Sequence, residues 1–317
     1  MNSDFLNLFE LDNKELAIND QSLTNGEIEI PIENGIPRFS PNSSYSTGNF
    51  SKLRDEFASL QMDSKNGTTL RMDTILKRTG WPKEFFQGKT ILECGVGAGP
   101  DTEILLALGA KVVAADIAGL EVAKNNLGDN PNLQLIQASI TDLPLKKKSF
   151  DIVFCHRVLQ HTPDPKETLD HILQYVKDDG AVFVHSYSKN FKQMCRWKYV
   201  MRPITKRLDS EKLFKFVKAY SKPAFKVTKF LNSFFLGKAF SWFFIPFLNY
   251  RHNPNFADKS DEFMLEYGVH DTFDALSPRY DQPIGIKNMR KIATKYLKKP
   301  FEVVDKYGVT LLRSIIK

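Results

Sequence analysis

Cysteine is almost missing from this chain: Cys94, Cys155 and Cys195 are all that its 317 residues hold, and no two form a C-x-x-C pair. An odd, scattered set of thiols excludes a disulfide framework and a zinc ribbon, and it fits a reducing compartment, so a cytoplasmic protein is expected. The amino-terminal stretch "MNSDFLNLFELDNKE" lacks a basic start and an unbroken apolar run, which argues against a signal peptide. No internal repeat and no low-complexity tract interrupts the chain. The longest apolar run, "FLNSFFLGKAFSWFFIPFL", nearly reaches spanning length. Lys238, Pro246, Asn232, Ser233 and Ser241 break it, which argues against a true membrane span. Acidic residues are scarce in one place only. Between Lys189 and Arg251 stand fifteen Lys or Arg against Asp209 and Glu211, a local charge of +13 that leaves −6 for the rest, since the whole chain carries +7. The basic character belongs to one segment, and 16 of the 38 aromatic side chains lie in it as well.

What is present elsewhere is an ordinary globular balance, 42% hydrophobic and 26% charged. Residues 26–38 alternate apolar and polar around Asn34-Gly35, which predicts a small hairpin. Residues 46–80 read as mostly helical up to the breaker "TGWP". From Thr90 a rhythm of strand and helix begins: "TILECG", "KVVAAD", "LQLIQAS", "FDIVFCH" and "GAVFVHSY" as strands, separated by helical stretches such as "DTEILLALG". It stops at Ser188 and resumes near Ile284 with an amphipathic helix and two closing strands around Gly308. The expected architecture is α/β: a doubly wound, seven-stranded, mainly parallel sheet with an N-terminal extension and a helical insert after strand five. The expected divisions are 1–45 (hairpin extension), 46–87 (helical cap), 88–188 (nucleotide-binding core), 189–282 (basic aromatic insert) and 283–317 (closing elements).

Gly95, Gly97 and Gly99 follow the first buried strand at every second position. Such a turn lets a ligand approach the backbone at the carboxyl edge of a sheet. A dinucleotide fingerprint spaces its third glycine one residue later. Glu93, two residues before Gly95, would repel a pyrophosphate and suits a cation. S-adenosylmethionine (SAM), with its sulfonium and ammonium, is favoured over NAD on charge.

These residues carry a resemblance. "LECGVGAG" resembles the first motif of class I SAM-dependent methyltransferases, and the order of elements from about Gly88 to Tyr187 is similar to that family's. "KVVAADIA" resembles its second motif, which implies that Asp116, with Ile117 beside it, binds the ribose hydroxyls. "IQASITDLP" resembles the stretch that contacts adenine, which implies Ser139 and Ile140, although the family usually has an acid at the place of Ser139. "FDIVFCHRVLQHTPDP" resembles the motif after strand four, with Gln160 in place of its first histidine and His161 as its second; Cys155 is expected to line the site. The type 11 subgroup, which acts on small molecules, lipids and glycans, is the most similar. The stretch "IPIENGIPRF" looks like the tail of a small zinc-ribbon element whose cysteines are absent, so no metal is expected.

The implied reaction is methyl transfer from SAM to a small-molecule, glycan or lipid-linked acceptor, on oxygen. A base should take the proton of a hydroxyl acceptor, and histidine titrates in the useful range, although a Tyr, an Asp or no base at all also stays open. His161, His156 and His270 are the catalytic candidates, with His185 beside them, and the sequence does not choose. "HDTFDALSPRY" is read as a loop facing the site. In the insert, Lys215, Lys218, Lys222, Lys226 and Lys229 fall on one helical face; Phe216, Tyr220, Val227, Leu231 and Phe234 follow on a neighbouring one, and Pro223 either splits that helix or starts a second. Three readings of the insert stay open: a lid over the acceptor, a peripheral anchor on an anionic membrane through 189–251, or a grip on nucleic acid, the last of which would make the chain an RNA methyltransferase. A non-catalytic SAM-binding protein is the remaining alternative.

Overall fold

The computed structural model describes residues 1–40 and 56–316. It resolves into two compact units, one holding the described residues of Met1–Thr47, Gln61–Ser188 and Tyr280–Lys317, the other those of Gly48–Leu60 and Lys189–Arg279.

The first unit opens with six short strands: β1 (Glu10–Leu11), β2 (Lys14–Glu15), β3 (Ala17–Asn19), β4 (Ser22–Thr24), β5 (Glu29–Glu33) and β6 (Ile36–Pro37). The hairpin expected from Asn34-Gly35 joins β5 to β6, and both turn residues have positive φ (53° and 77°), as a two-residue turn of matching twist requires. It is part of a four-stranded sheet, β3-β4-β5-β6, so the single hairpin was an underestimate.

The main sheet comprises β7 (Thr90–Cys94), β8 (Lys111–Asp116), β9 (Leu133–Gln137), β10 (Phe150–His156), β11 (Val176–Tyr187), β12 (Phe301–Lys306) and β13 (Val309–Ser314). Their order is β12-β13-β11-β10-β7-β8-β9, parallel throughout except for β13, which runs antiparallel to both neighbours. This is the doubly wound seven-stranded sheet that the sequence implied. Alternate residues feed opposite cores: Leu92, Val113 and Val153 enter one, Ile91, Val112 and Ile152 the other. Strand order reverses between β7 and β10, so their carboxyl ends splay around a crevice.

The N-terminal segment lies along the edge strand β9. Phe39 N–H donates to Gln137 O (2.8 Å), Gln134 Nε2 donates to Gly35 O (3.0 Å), and Arg38 reaches the Gln137 amide oxygen (2.8 Å). Phe5, Phe9, Leu16 and Leu23 from this segment are buried in the same core as β10 and β11.

Of the helical stretch expected over 46–80, the part up to residue 55 lies outside the described residues; beyond it stand helices Asp63–Asn66 and Leu70–Thr79. The second unit is helical: Phe191–Met194, Trp197–Thr205, Ser210–Leu231, Phe235–Phe244 and Asp261–Leu276. Its core is built from Trp197, Leu213, Phe214, Val217, Val269 and Phe273. The Ser210–Leu231 helix runs through Pro223 unbroken. Its inward stripe of Leu213, Phe214, Val217, Ser221, Phe225 and Thr228 spans both sides of the proline and offsets the lost hydrogen bond. The segment "HDTFDALSPRY" is not a loop: the Asp261–Leu276 helix, capped by Ser260 Oγ accepting from Phe263 N–H (3.1 Å), carries it as far as Leu276. Val269, Thr272, Phe273 and Leu276 recur at helical spacing on its buried side, which outweighs the polar composition.

Candidate active site

The glycine turn leaves β7 at its carboxyl end, and its three glycines do three different things. Gly95 has φ +92°, and a Cβ there would stand 2.3 Å from Val158 Cγ2. Gly99, with φ +96°, would meet Leu127 Cδ1 at 2.9 Å and leads into the Pro100–Ala107 helix with proline at its first position. Gly97 has φ +59° and nothing within 4 Å of its Cβ position. Two glycines therefore admit the protein's own side chains, and one opens onto space at the sheet's carboxyl edge.

Asp116 ends β8 and is 8% exposed. Its carboxylate accepts from Gly97 N–H (2.9 Å) and Ile117 N–H (2.8 Å), tying the two loops together. Glu93 is buried and accepts from Thr102 Oγ1 (2.6 Å). Burial, and then the nearby charges of Asp101 and Asp116, hold its carboxyl well above the usual range. Ser139 N–H donates to Ser40 Oγ (3.2 Å), its hydroxyl bonds Thr141 (2.7 Å), and Ile140 is buried beside it. Cys155 lies wholly within the core, and burial pushes its thiol up to about 12, so it lines no open surface.

The histidines separate clearly. His156 ends β10, and its Nε2 lies 2.8 Å from Arg78 Nη1 while its Nδ1 lies 2.9 Å from Asp101 Oδ2. A guanidinium can only donate, so Nε2 accepts and Nδ1–H donates to the carboxylate. Burial drives the ring down to about 3 despite that carboxylate. Burial alone would raise Asp101, but His156 and Arg71, whose Nη1 stands 3.3 Å away, outweigh it and hold the carboxyl low. Burial lowers Arg78 to about 9. His156 is thus a neutral link in a buried Arg71–Asp101–His156–Arg78 network, with its lone pair committed, and it is removed from the candidate bases. His185 on β11 is likewise buried; its Nδ1 accepts from Arg157 N–H (3.0 Å), so it carries its proton on Nε2.

His161 closes a short 3-10 turn, Leu159–His161, after β10 and is only partly buried. Its Nδ1–H donates to Tyr280 O (3.0 Å), and Tyr187 stands edge-on at 5.8 Å. That bond fixes the tautomer and puts the basic lone pair on Nε2. His270 belongs to the other unit, on the Asp261–Leu276 helix, where Nδ1 bonds Asp271 (2.8 Å) and Phe57 packs edge-on at 5.5 Å.

Three features escaped the sequence. Arg71 and Arg78 come from a helix with no motif, and Asp101 sits just past the glycines without belonging to their pattern. Arg157 adopts φ +65°, an uncommon conformation for a side chain of that kind, on the loop that carries His161.

Residues 92–184 match the family model described as a methyltransferase domain. A demethylmenaquinone methyltransferase of Clavibacter sepedonicus is 34% identical over 103 residues, 32% of this chain and 42% of that protein. A ubiquinone biosynthesis O-methyltransferase of Vibrio atlanticus is 33% identical over 127 residues, 39% and 52% of the two chains. The chain thus spans about half the length of these curated relatives. Among solved structures, a SAM-dependent methyltransferase from Mesorhizobium loti aligns with 34% of this chain and 50% of its own, at 21% identity and a TM-score of 0.31. Residues 92–184, which hold the glycine turn and the acid-ended second strand, are thus similar to a methyltransferase domain, and they lie within the seven-stranded sheet.

Proposed function

We propose that the first unit moves a methyl group from SAM to a hydroxyl of a small-molecule, glycan or lipid-linked acceptor. The observation that carries this reading is Gly97: a backbone position open to space, pinned by Asp116 and set beside a buried acid. The cofactor fits these residues. Gly97 gives room against the backbone, with Gly95 and Gly99 shaping the turn, and Glu93 offers a carboxylate to a positive charge. Asp116, next to Ile117, offers lone pairs to ribose hydroxyls, while Ser139 and Ile140 flank the base. When bound, SAM supplies an electrophilic methyl group on a good leaving group. Holding the acceptor in line accounts for most of the acceleration, up to ~7–11 kcal/mol in ideal cases. His161 takes the hydroxyl proton on Nε2 while the Tyr280 carbonyl steadies the ring. The relatives named for O-methylation support oxygen as the target.

Two measurements test this reading. Because burial holds the Glu93 carboxyl above its usual range, a cation drawn to it favours ionisation and release of a proton, so SAM affinity rises with pH across the range where Glu93 ionises. Calorimetry in two buffers of different ionisation enthalpy reads that proton directly. Glu93→Gln removes it and weakens binding about ten- to a hundredfold. Tight SAM binding by Glu93→Gln, equal to that of the native chain, would refute the role. For the base, His161→Asn lowers kcat about 10²–10⁴-fold with SAM binding intact. An unchanged kcat moves the proton transfer elsewhere.

A further inference from the structure

We infer that the second unit docks on an anionic lipid bilayer through its Phe235–Phe244 helix and the lysine row of the helix before it. The Phe235–Phe244 helix is inside out. The side it buries holds Gly237 and Ser241, and a Cβ on Gly237 would stand 2.3 Å from Leu231 O. The side it turns outward holds Phe235 (83% exposed), Leu236 (76%), Phe240 (52%) and Phe244 (68%). A helix packed on a water-soluble unit has the opposite arrangement. The preceding helix continues the patch with exposed Val227 and Phe230, and Phe234 follows it; of the apolar face read from the sequence, Phe216, Val227 and Phe234 look outward, while Tyr220 packs against the core. Phe230 and Phe234 meet at 5.7 Å and Phe240 and Phe244 at 5.1 Å, so these rings cluster on the surface. A contiguous apolar patch of this kind marks an interaction site.

Charge and length choose the occupant. Lys222, Lys226 and Lys229 line an open groove of about 790 Å³ together with Phe225, Phe230 and Leu265. Lys229 pairs with Asp261, whereas Lys222, Lys226 and Lys238 have no carboxylate partner among the described residues. Cations beside an outward apolar ridge match a surface of phosphate headgroups over hydrocarbon. A second copy of this chain would bring the same lysines to a self-complementary contact and be repelled. Ten residues rise only ~15 Å, half a bilayer's hydrocarbon core. Among the described residues no helix is long and apolar enough to cross a membrane, so the ridge dips into one leaflet and lies in its plane.

Sedimentation of the full chain with vesicles tests this. The chain pellets with phosphatidylglycerol–phosphatidylcholine vesicles and not with pure phosphatidylcholine, and salt weakens the association. Phe235→Ser with Leu236→Ser, and separately Lys222→Glu with Lys226→Glu, each lower the partition coefficient at least about tenfold. All four side chains are exposed, so far-UV circular dichroism and the melting curve stay native. The proposal is overturned by equal binding to neutral vesicles, by binding to neither, or by native binding in both double variants. It is equally overturned by a lipid-free dimer in analytical ultracentrifugation that the Phe235/Leu236 pair breaks, or by RNA binding that the lysine pair abolishes while vesicle binding persists.

Discussion

Arginine at position 97 is expected to leave the fold standing and abolish SAM binding, whereas alanine at position 95 is expected to damage the fold itself. The contrast follows from what each Cβ meets. At Gly97 no atom lies within 4 Å, so a side chain costs only its left-handed backbone, about 1–2 kcal/mol. It then occupies the space that the proposed cofactor needs, and affinity falls more than about a hundredfold, roughly 3 kcal/mol. At Gly95 the new methyl collides with both Val158 methyl groups, at 2.3 and 2.9 Å, and φ is +92°. Overpacking and backbone strain together cost roughly 2–5 kcal/mol. Val158 precedes the turn that holds His161, so the collision also displaces that ring. Thermal melts and calorimetry on the two variants separate the effects. Normal SAM binding by Gly97→Arg would remove the cofactor from this turn.

The second large effect lies in the buried network behind the glycines. Asp101 is in direct contact with both Arg71 and His156 there, at 3.3 and 2.9 Å. Asp101→Asn leaves Arg71 facing a neutral amide in a site closed to water. Breaking a buried pair in this way costs about 3–5 kcal/mol, a large share of an ordinary domain's stability. The same network governs acid stability. Because burial lowers His156 to about 3, the folded state binds fewer protons than the unfolded chain between there and the normal value near 6.5. Its neutral form is fully compatible with folding above pH 6.5, and stability drains away as pH falls from 6.5 through about 3. His156→Asn is therefore less stable than the native chain at neutrality but flatter over that window. Urea titrations at several pH values report both quantities. A native midpoint for Asp101→Asn would show that the network holds nothing together.

The sheet was legible because β7, β8, β10 and the Ala181–Val184 part of β11 are largely apolar runs bounded by turn residues, and because Gly95 to Gly99 and Asp116 fall at its strand ends. The N-terminal strands were less so: β1 to β4 have two or three residues each, too few to alternate. His156 read as a catalytic candidate because a strand-end histidine invites that role. Its partners Arg78 and Asp101 lie 78 and 55 residues away, and no spacing connects them. His270 read as a loop residue because acids, Ser277 and Pro278 surround it, while the helix is decided by a buried stripe that only packing reveals. The Phe235–Phe244 helix is apolar apart from Lys238 and Ser241 in sequence, so only the structure tells which side looks out.

The N-terminal strap along β9 has a consequence for how this chain can be divided. The matched domain begins at residue 92, yet the hydrogen-bonding rim of β9 and part of the core beside it are closed by residues up to 40. Cut back to the matched segment, the sheet would present bare amides and greasy pockets to its neighbours, an open template for strand-to-strand polymerisation. The front of the chain works as a hem: it keeps the end of this sheet from pairing with its own copies.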